Sequence, residues 1–216
     1  MTEAVPREHE EAQLLPFDGV HSDMTALASP EGDAELMIRV REGDQACFGL
    51  LLQKHRGGLV HFLYRMVQNQ GVAEELGQEV FLRVYKSRET YEPTAKFRTW
   101  LFRIATHVAL NWLRDSRNRQ TPQSIDQRVE EEGPRREIAA AGPTVEQELM
   151  NRARLREIRQ AVDALPAKQR AAVLMHKYEE MEYVQIAKAL GCSESAVKSL
   201  LFRAYETLRA RLAHMI

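Results

Sequence analysis

Apolar residues recur at three- and four-residue intervals over most of this chain, and no stretch shows the alternation of a half-buried strand. The pattern is most complete between Tyr183 and Leu201. Ile186, Ala187 and Leu190 fall on one helical face, and Gly191 supplies a position tolerant of positive φ where that helix must stop. Cys192 is small enough to tuck into the turn, and Ser193 is a good N-cap for a second helix. Val197, Leu201, Ala204 and Leu208 give that second helix an apolar side to pack on the first. Ala187, Gly191 and Val197 stand at helix-turn-helix spacing: a small crossing residue, a glycine turn and a β-branched core residue. The remaining face carries Ser195, Lys198, Ser199, Phe202 and Arg203, groups suited to phosphates and base edges.

Upstream, the helical period begins at Asp33. Leu36, Met37 and Val40 face inward until Gly43, and Asp44 caps a second helix with Cys47, Phe48, Leu51, Leu52, Leu59, Phe62, Leu63 and Met66 on its stripe. Gly57 and Gly58 are expected to bend or fray it. His55 borders the stripe as a packing residue, since no partner stands at metal-ligand spacing. After a break at Gly71, Ala73 to Ser87 opens with acids and ends with bases, as the helix dipole favours. Leu76, Val80, Phe81 and Val84 form its buried side; Gln78, Glu79 and Arg83 point elsewhere and would read as a solvated face. Pro93 makes Thr90 to Phe97 a loop, and Phe97 to Arg119 follows as a dense helix. Arg98, Trp100, Arg103, His107, Asn111, Trp112 and Arg114 interleave aromatics with bases and amides there. Proteins that stack and read unpaired bases use such interleaving, and ordinary core aromatics fit the same pattern.

Residues 116–143 lose the period and gain Pro122, Gly133, Pro134, Gly142 and Pro143, which reads as a flexible extended linker. Thr144 with Gln147 makes a capping box that opens a new helix, whose buried side is Leu149, Ala153, Ile158, Ala161, Val162 and Leu165. Pro166 restarts the chain as a first-turn proline. The expected architecture is all-α. A tail over residues 1–32 precedes a helical domain over 33–118, a flexible linker over 119–143, and a helical domain with the helix-turn-helix over 144–216.

Charge sharpens this division. Net charge is only -1, but residues 1–35 hold nine acids against Arg7 alone, and residues 1–32, with Pro6, Pro16, Gly19 and Pro30, read as a disordered acidic tail. Leu14, Leu15 and Phe17 fit a short docking motif within it, but disorder is the preferred reading there too. Between Lys96 and Arg119 six bases (Lys96, Arg98, Arg103, Arg114, Arg117, Arg119) face only Asp115. A basic stripe on a near-neutral chain suits a protein that meets DNA over a limited surface while a partner adds affinity. No apolar run approaches a membrane span and no signal-peptide pattern is present, so a cytosolic protein without membrane insertion is expected. Cys47 and Cys192 read as free buried thiols. Phosphate-loop, metal-ligand and nucleophile-elbow patterns are missing, so no enzyme, metal or cofactor is expected.

The segments VREGDQACF, AEELGQEVFLRVY, FRTWLFRIATHVALNWLR and LPAKQRAAVLM, with AVKSLLFRAYETLRARL after the turn, together resemble an extracytoplasmic-function sigma factor of bacterial RNA polymerase. The resemblance runs from Asp33 to Leu212 and implies a function in promoter recognition and promoter melting without catalysis. It implies that Gln78, Glu79 and Arg83 meet the β′ clamp helices of core polymerase, with the β flap as a further contact. The loop Tyr91 to Phe97 with Lys96, and the helix positions Arg98, Trp100, Arg103, His107, Asn111 and Arg114, would take the minus-ten element with a flipped base. Ser195, Lys198, Ser199, Phe202 and Arg203 would take the minus-thirty-five element as duplex. An anti-sigma factor commonly holds such proteins inactive. Three positions depart from the family habit: Gly77, expected to loosen the docking helix, His107 in place of asparagine, and Leu200 in place of arginine. The rival readings are a stand-alone helix-turn-helix regulator, which leaves Gln78 and Glu79 idle, and an enzyme, which lacks a pocket.

Overall fold

The computed structural model describes residues 30–119 and 145–215, and among these all regular structure is helical. The acidic tail, the linker and the Thr144 cap lie outside the described residues. The helices are α1 (Pro30–Arg41), α2 (Gln45–Val67), α3 (Gln70–Lys86), α4 (Phe97–Arg119), α5 (Val145–Asp163), α6 (Ala167–Lys177), α7 (Tyr183–Leu190) and α8 (Glu194–Arg211).

Local chemistry sets most boundaries. Gly43 at φ 103° turns the chain out of α1, and Asp44 Oδ1 accepts from the amides of Ala46 (3.0 Å) and Cys47 (3.3 Å) to start α2. Helix α2 runs unbroken through Gly57 and Gly58, contrary to the expected bend. Its long apolar stripe, with Leu59, Phe62 and Leu63 fully buried, outweighs about 1 kcal/mol of lost propensity at each glycine. The next break comes earlier than Gly71. Gln68 takes a left-handed conformation (φ 58°), and Asn69 caps α3 by accepting from the Val72 amide at 3.0 Å. Gly71 therefore sits inside α3.

Helices α1 to α4 pack around Leu36, Met37, Leu51, Phe62, Leu63, Met66, Val80 and Leu101, all buried. In the second half α6, α7 and α8 pack around Ile186, Ala189, Val197, Leu201 and Ala204. The buried side expected for α5 is only partly realised. Ala161, Val162 and Leu165 are buried, but Leu149 is 58% and Ile158 37% exposed, and Ala153 is also at the surface. Helix α5 makes its main helix-to-helix contact with α8, near its C-terminal end, and no described helix covers its first turns.

The two halves meet, which the sequence pattern does not announce. Helix α4 packs on α7, and α6 touches α2 and α4, so one cluster of buried residues runs through both halves. Polar ties reinforce it. Gln68 Nε2 donates to Asp163 Oδ1 at 2.7 Å, the Arg65 guanidinium lies 3.6 Å from the centre of the Tyr178 ring, and Arg98 pairs with Glu179. Arg170 is also buried, and it serves three backbone carbonyls. It donates to the carbonyls of Met66 (2.7 Å), Leu165 (3.3 Å) and Asp163. Burial lowers its pKa from the ordinary arginine value.

Candidate nucleic-acid and partner interfaces

Three surfaces carry the residues singled out above. The first is on α4. At about 100° per residue, Trp100, Arg103, His107, Asn111 and Arg114 fall within about 80° of one another. Arg103, His107, Asn111 and Arg114 are exposed and Trp100 is half-buried, so this stripe is open to a ligand along nearly four turns. Arg114 spends little of its charge internally, meeting Asp115 at 3.5 Å between two largely exposed side chains.

Three predicted members are placed elsewhere. Tyr91 and Phe97 are buried, at 2% and 0% exposure, and so are not surface partners for a base. They pack against Trp100 with rings tilted by 58° and 56° and centroids 4.9 and 5.9 Å away, and hold the indole at the rim. Arg98 lies about 160° round the helix from Trp100 and pairs with Glu179 on the chain between α6 and α7. It belongs to the contact between the halves. Lys96 is exposed at the end of the loop, beside the first turn of the stripe.

Beneath the loop lies a small polar cluster. Asp33 is 3% exposed and pairs with Lys54 Nζ at 2.6 Å and His55 Nε2 at 2.9 Å. Burial by itself would raise the carboxyl, but hydrogen bonds and charges from His55 and Lys54 outweigh it and hold Asp33 below the ordinary 3.8. His55 also packs on Phe97, ring centroids 5.3 Å apart, which bears out a packing histidine. No group of metal-ligating side chains is found among the described residues.

The second surface is the outer face of α8. Gly191 at φ 63° and the Cys192 amide bonded to the Ala187 carbonyl (3.0 Å) make the expected turn, and Ser193 Oγ accepts from the Ala196 amide at 3.2 Å. Ser195, Lys198, Ser199, Phe202 and Arg203 are all exposed on one side, while Val197 and Leu201 face α6 and α7. Phe202 is 67% exposed, an unusual position for a ring with no partner of its own. Lys198 meets Glu194 at 3.2 Å, an exposed pair that a phosphate can displace.

The third surface is on α2 and α3. Gln78 is exposed, and Glu79 and Arg83 are about half exposed, paired with each other at 2.5 Å. Beside them runs an apolar groove of about 620 Å³ between the two helices. Phe48, Leu52, Phe81, Leu82 and Tyr85 line it, with Gln78 on its edge. Sequence reasoning missed this groove, although Gly49 and Gly77 were the signal for it. Gly77 does not loosen α3 as expected. A Cβ there would stand 3.1 Å from Val60 Cγ2, so the glycine lets α2 approach closely.

Residues 51–119 match the family described as sigma-70 region 2, and residues 155–208 match sigma-70 region 4. The chain belongs to the extracytoplasmic-function sigma factors. It is similar to the RNA polymerase sigma-H factor of Pseudomonas aeruginosa, 29% identical over 199 residues that cover 88% of this chain and 98% of the relative. It is also 29% identical to the ECF RNA polymerase sigma-E factor of Escherichia coli over 185 residues, covering 85% and 96%. The fold of this sigma factor resembles CnrH, solved in complex with the cytosolic domain of CnrY (TM-score 0.62, 20% identity, 84% of this chain and 97% of that one). It resembles equally RpoE, solved with the anti-sigma factor NepR from Bartonella quintana (TM-score 0.59, 20% identity, 77% and 96%). Both regions lie in one chain in family order, so a stand-alone regulator is not the favoured description of this sigma factor. Sigma factors are specificity subunits of RNA polymerase and not enzymes. Among the described residues no helix is long and apolar enough to cross a membrane.

Proposed function

We propose that this sigma factor divides promoter recognition between the α4 stripe and the outer face of α8, and binds core polymerase through the α2–α3 face. The observation that carries this is the stripe from Trp100 to Arg114, where an imidazole, an amide and two guanidinium groups stay exposed beside a half-buried indole. Such a surface can accept an unstacked base of the minus-ten element and hold the phosphates beside it. It offsets an unpairing cost of a few kcal/mol per base. Tyr91 and Phe97 serve by positioning Trp100, and Arg98 becomes available only when Glu179 releases it. On α8, Lys198 and Arg203 reach phosphates or base edges of the minus-thirty-five duplex, with Ser195, Ser199 and Phe202 between them. Polymerase then holds both faces at one separation, so that two weak contacts act together through effective concentration.

Gln78, Glu79 and the adjoining groove suit the β′ clamp helices, since they combine exposed polar groups with an uncovered apolar floor. The Glu79–Arg83 pair is worth about 0.3–0.5 kcal/mol and yields easily to a partner. The β flap would take part of region 4, and an anti-sigma factor is the expected antagonist, as RpoE was solved with the anti-sigma factor NepR. All of this takes place where polymerase and DNA are, in the cytoplasm.

In vitro transcription with core polymerase on a promoter library tests the reading. The purified chain should confer selective initiation, and Glu79→Lys should abolish it while the protein stays folded, because the residue is about half exposed. Undiminished core binding by folded Glu79→Lys would remove the docking assignment.

A further inference from the structure

The groove between α2 and α3 has a feature that promoter recognition leaves unexplained. Leu82 is 59% exposed on its wall, and Phe48, Leu52 and Phe81 line a concavity that no described helix fills. Gly49 adds to the opening, since a Cβ there would meet nothing within 4 Å. An uncovered apolar concavity of this size normally has an occupant.

The chain itself supplies a candidate. The sequence before α1 contains one compact apolar group, Leu14-Leu15-Pro16-Phe17, set among Glu3, Glu8, Glu10, Glu11, Asp18 and Asp23. It enters the fold level with the groove along α2 but on another face, because Asp33 in the first turns of α1 is bound to Lys54 and His55, and Lys54 lies about 160° round the helix from Leu52 and Arg56, so the segment passes round α2 to reach the groove. The twelve residues from Asp18 to Ser29 span up to about 40 Å, more than the length of α2 at about 1.5 Å per residue. Charge favours one end of the groove. Arg56 is exposed there with no acidic partner among the described residues and can meet the acids that flank the apolar group, while Glu74, also in the lining, accepts from Gln70 Nε2 at 2.9 Å.

We propose that Leu14 to Phe17 docks in the α2–α3 groove of its own chain, and that core polymerase must displace it. The docking rests on the groove and the segment alone; the competition rests on the polymerase reading of Gln78 and Glu79. A tether of this length gives an effective concentration of about 1 mM. An intrinsic Kd of about 0.1–0.5 mM then makes the docked form outnumber the open one by about two- to tenfold. Affinity for polymerase falls by about three- to elevenfold as a result.

The test uses the full chain with photoreactive benzoylphenylalanine in place of Phe17, irradiated at submicromolar concentration, with crosslinks mapped by mass spectrometry. Intramolecular crosslinks to Leu52, Leu82 and their neighbours are expected. They should vanish in Gly49→Trp, whose side chain fills the groove without meeting other atoms at its Cβ. Crosslinks to α4 or α8, crosslinks between molecules, or a scatter over the surface would overturn the docking. A second arm measures core affinity. Leu15→Glu should raise it three- to elevenfold, whereas Glu79→Lys should lower it. If Glu79→Lys loses affinity and Leu15→Glu gains none, competition is wrong and the polymerase face stands. If Glu79→Lys loses nothing, the polymerase face is wrong, and the crosslinks still decide the docking.

Discussion

Replacing Arg170 by methionine should destabilise the closed packing of the two halves more than any surface change. The guanidinium is 8% exposed and serves carbonyls at the ends of two helices: Met66 in the last turn of α2, and Asp163 and Leu165 at the end of α5. Carbonyls there have no intrahelical donor, and the dipole of each helix adds to their pull on a cation. Methionine keeps most of the stem's packing and removes only the donors. Each charge-assisted bond contributes about 1.5–3 kcal/mol net, and the 3.3 Å contact to Leu165 less. Against this, the variant no longer buries a charge whose Nε has no partner. The balance is a loss of about 2–4 kcal/mol. With a urea m-value of about 2–3 kcal/mol/M, the unfolding midpoint should fall by about 1 M. Far-UV circular dichroism in urea reads this directly, and hydrogen exchange should show the end of α2 losing protection first. A midpoint shift below about 0.3 M would refute the reasoning, since it would mean that water serves the three carbonyls equally well.

Three further outcomes are expected. Asp33 has its pKa held below 3.8, so its contribution is present above that value and is lost as pH falls through the lower folded pKa; urea midpoints of wild type and Asp33→Asn should converge below about pH 4. Burial, and then the charge of Asp33, push the Tyr91 hydroxyl up, and that hydroxyl is buried without a partner among the described residues. Tyr91→Phe should therefore be neutral or stabilising by up to about 1 kcal/mol in a thermal melt, and a larger loss would reveal a partner for the hydroxyl. His107→Asn should leave stability within about 0.5 kcal/mol, as the residue is exposed, but change the base ranking in the minus-ten element; run-off transcription with each base at each position checks it, and an identical ranking would return His107 to a structural role.

Local chemistry alone made several elements of this sigma factor legible. Helix α4 begins where the period does, Asp44 and Ser193 cap as their residue types dictate, and Gly191 takes the positive φ that the helix-turn-helix needs. The polar face of α8 was legible for the same reason: once the core positions of a helix are known, the remaining side must meet solvent or a ligand. Burial is a different matter, because it depends on what another element brings to the same place. Periodicity could not tell that Tyr91 and Phe97 would sink beneath Trp100, or that Leu149 and Ile158 would stay uncovered on α5. Two glycines in α2 looked like a break because propensity is a small local term, whereas the packing of Leu59, Phe62 and Leu63 is a large tertiary one. Arg98 and Glu179 stand 81 positions apart, and Arg170 and Met66 104 apart, so their pairing was decided only when α4 met α7 and α6 met α2. The groove beside Gln78 came from the same source: Gly49 leaves an opening, and Gly77 a close approach, only when α2 and α3 lie side by side.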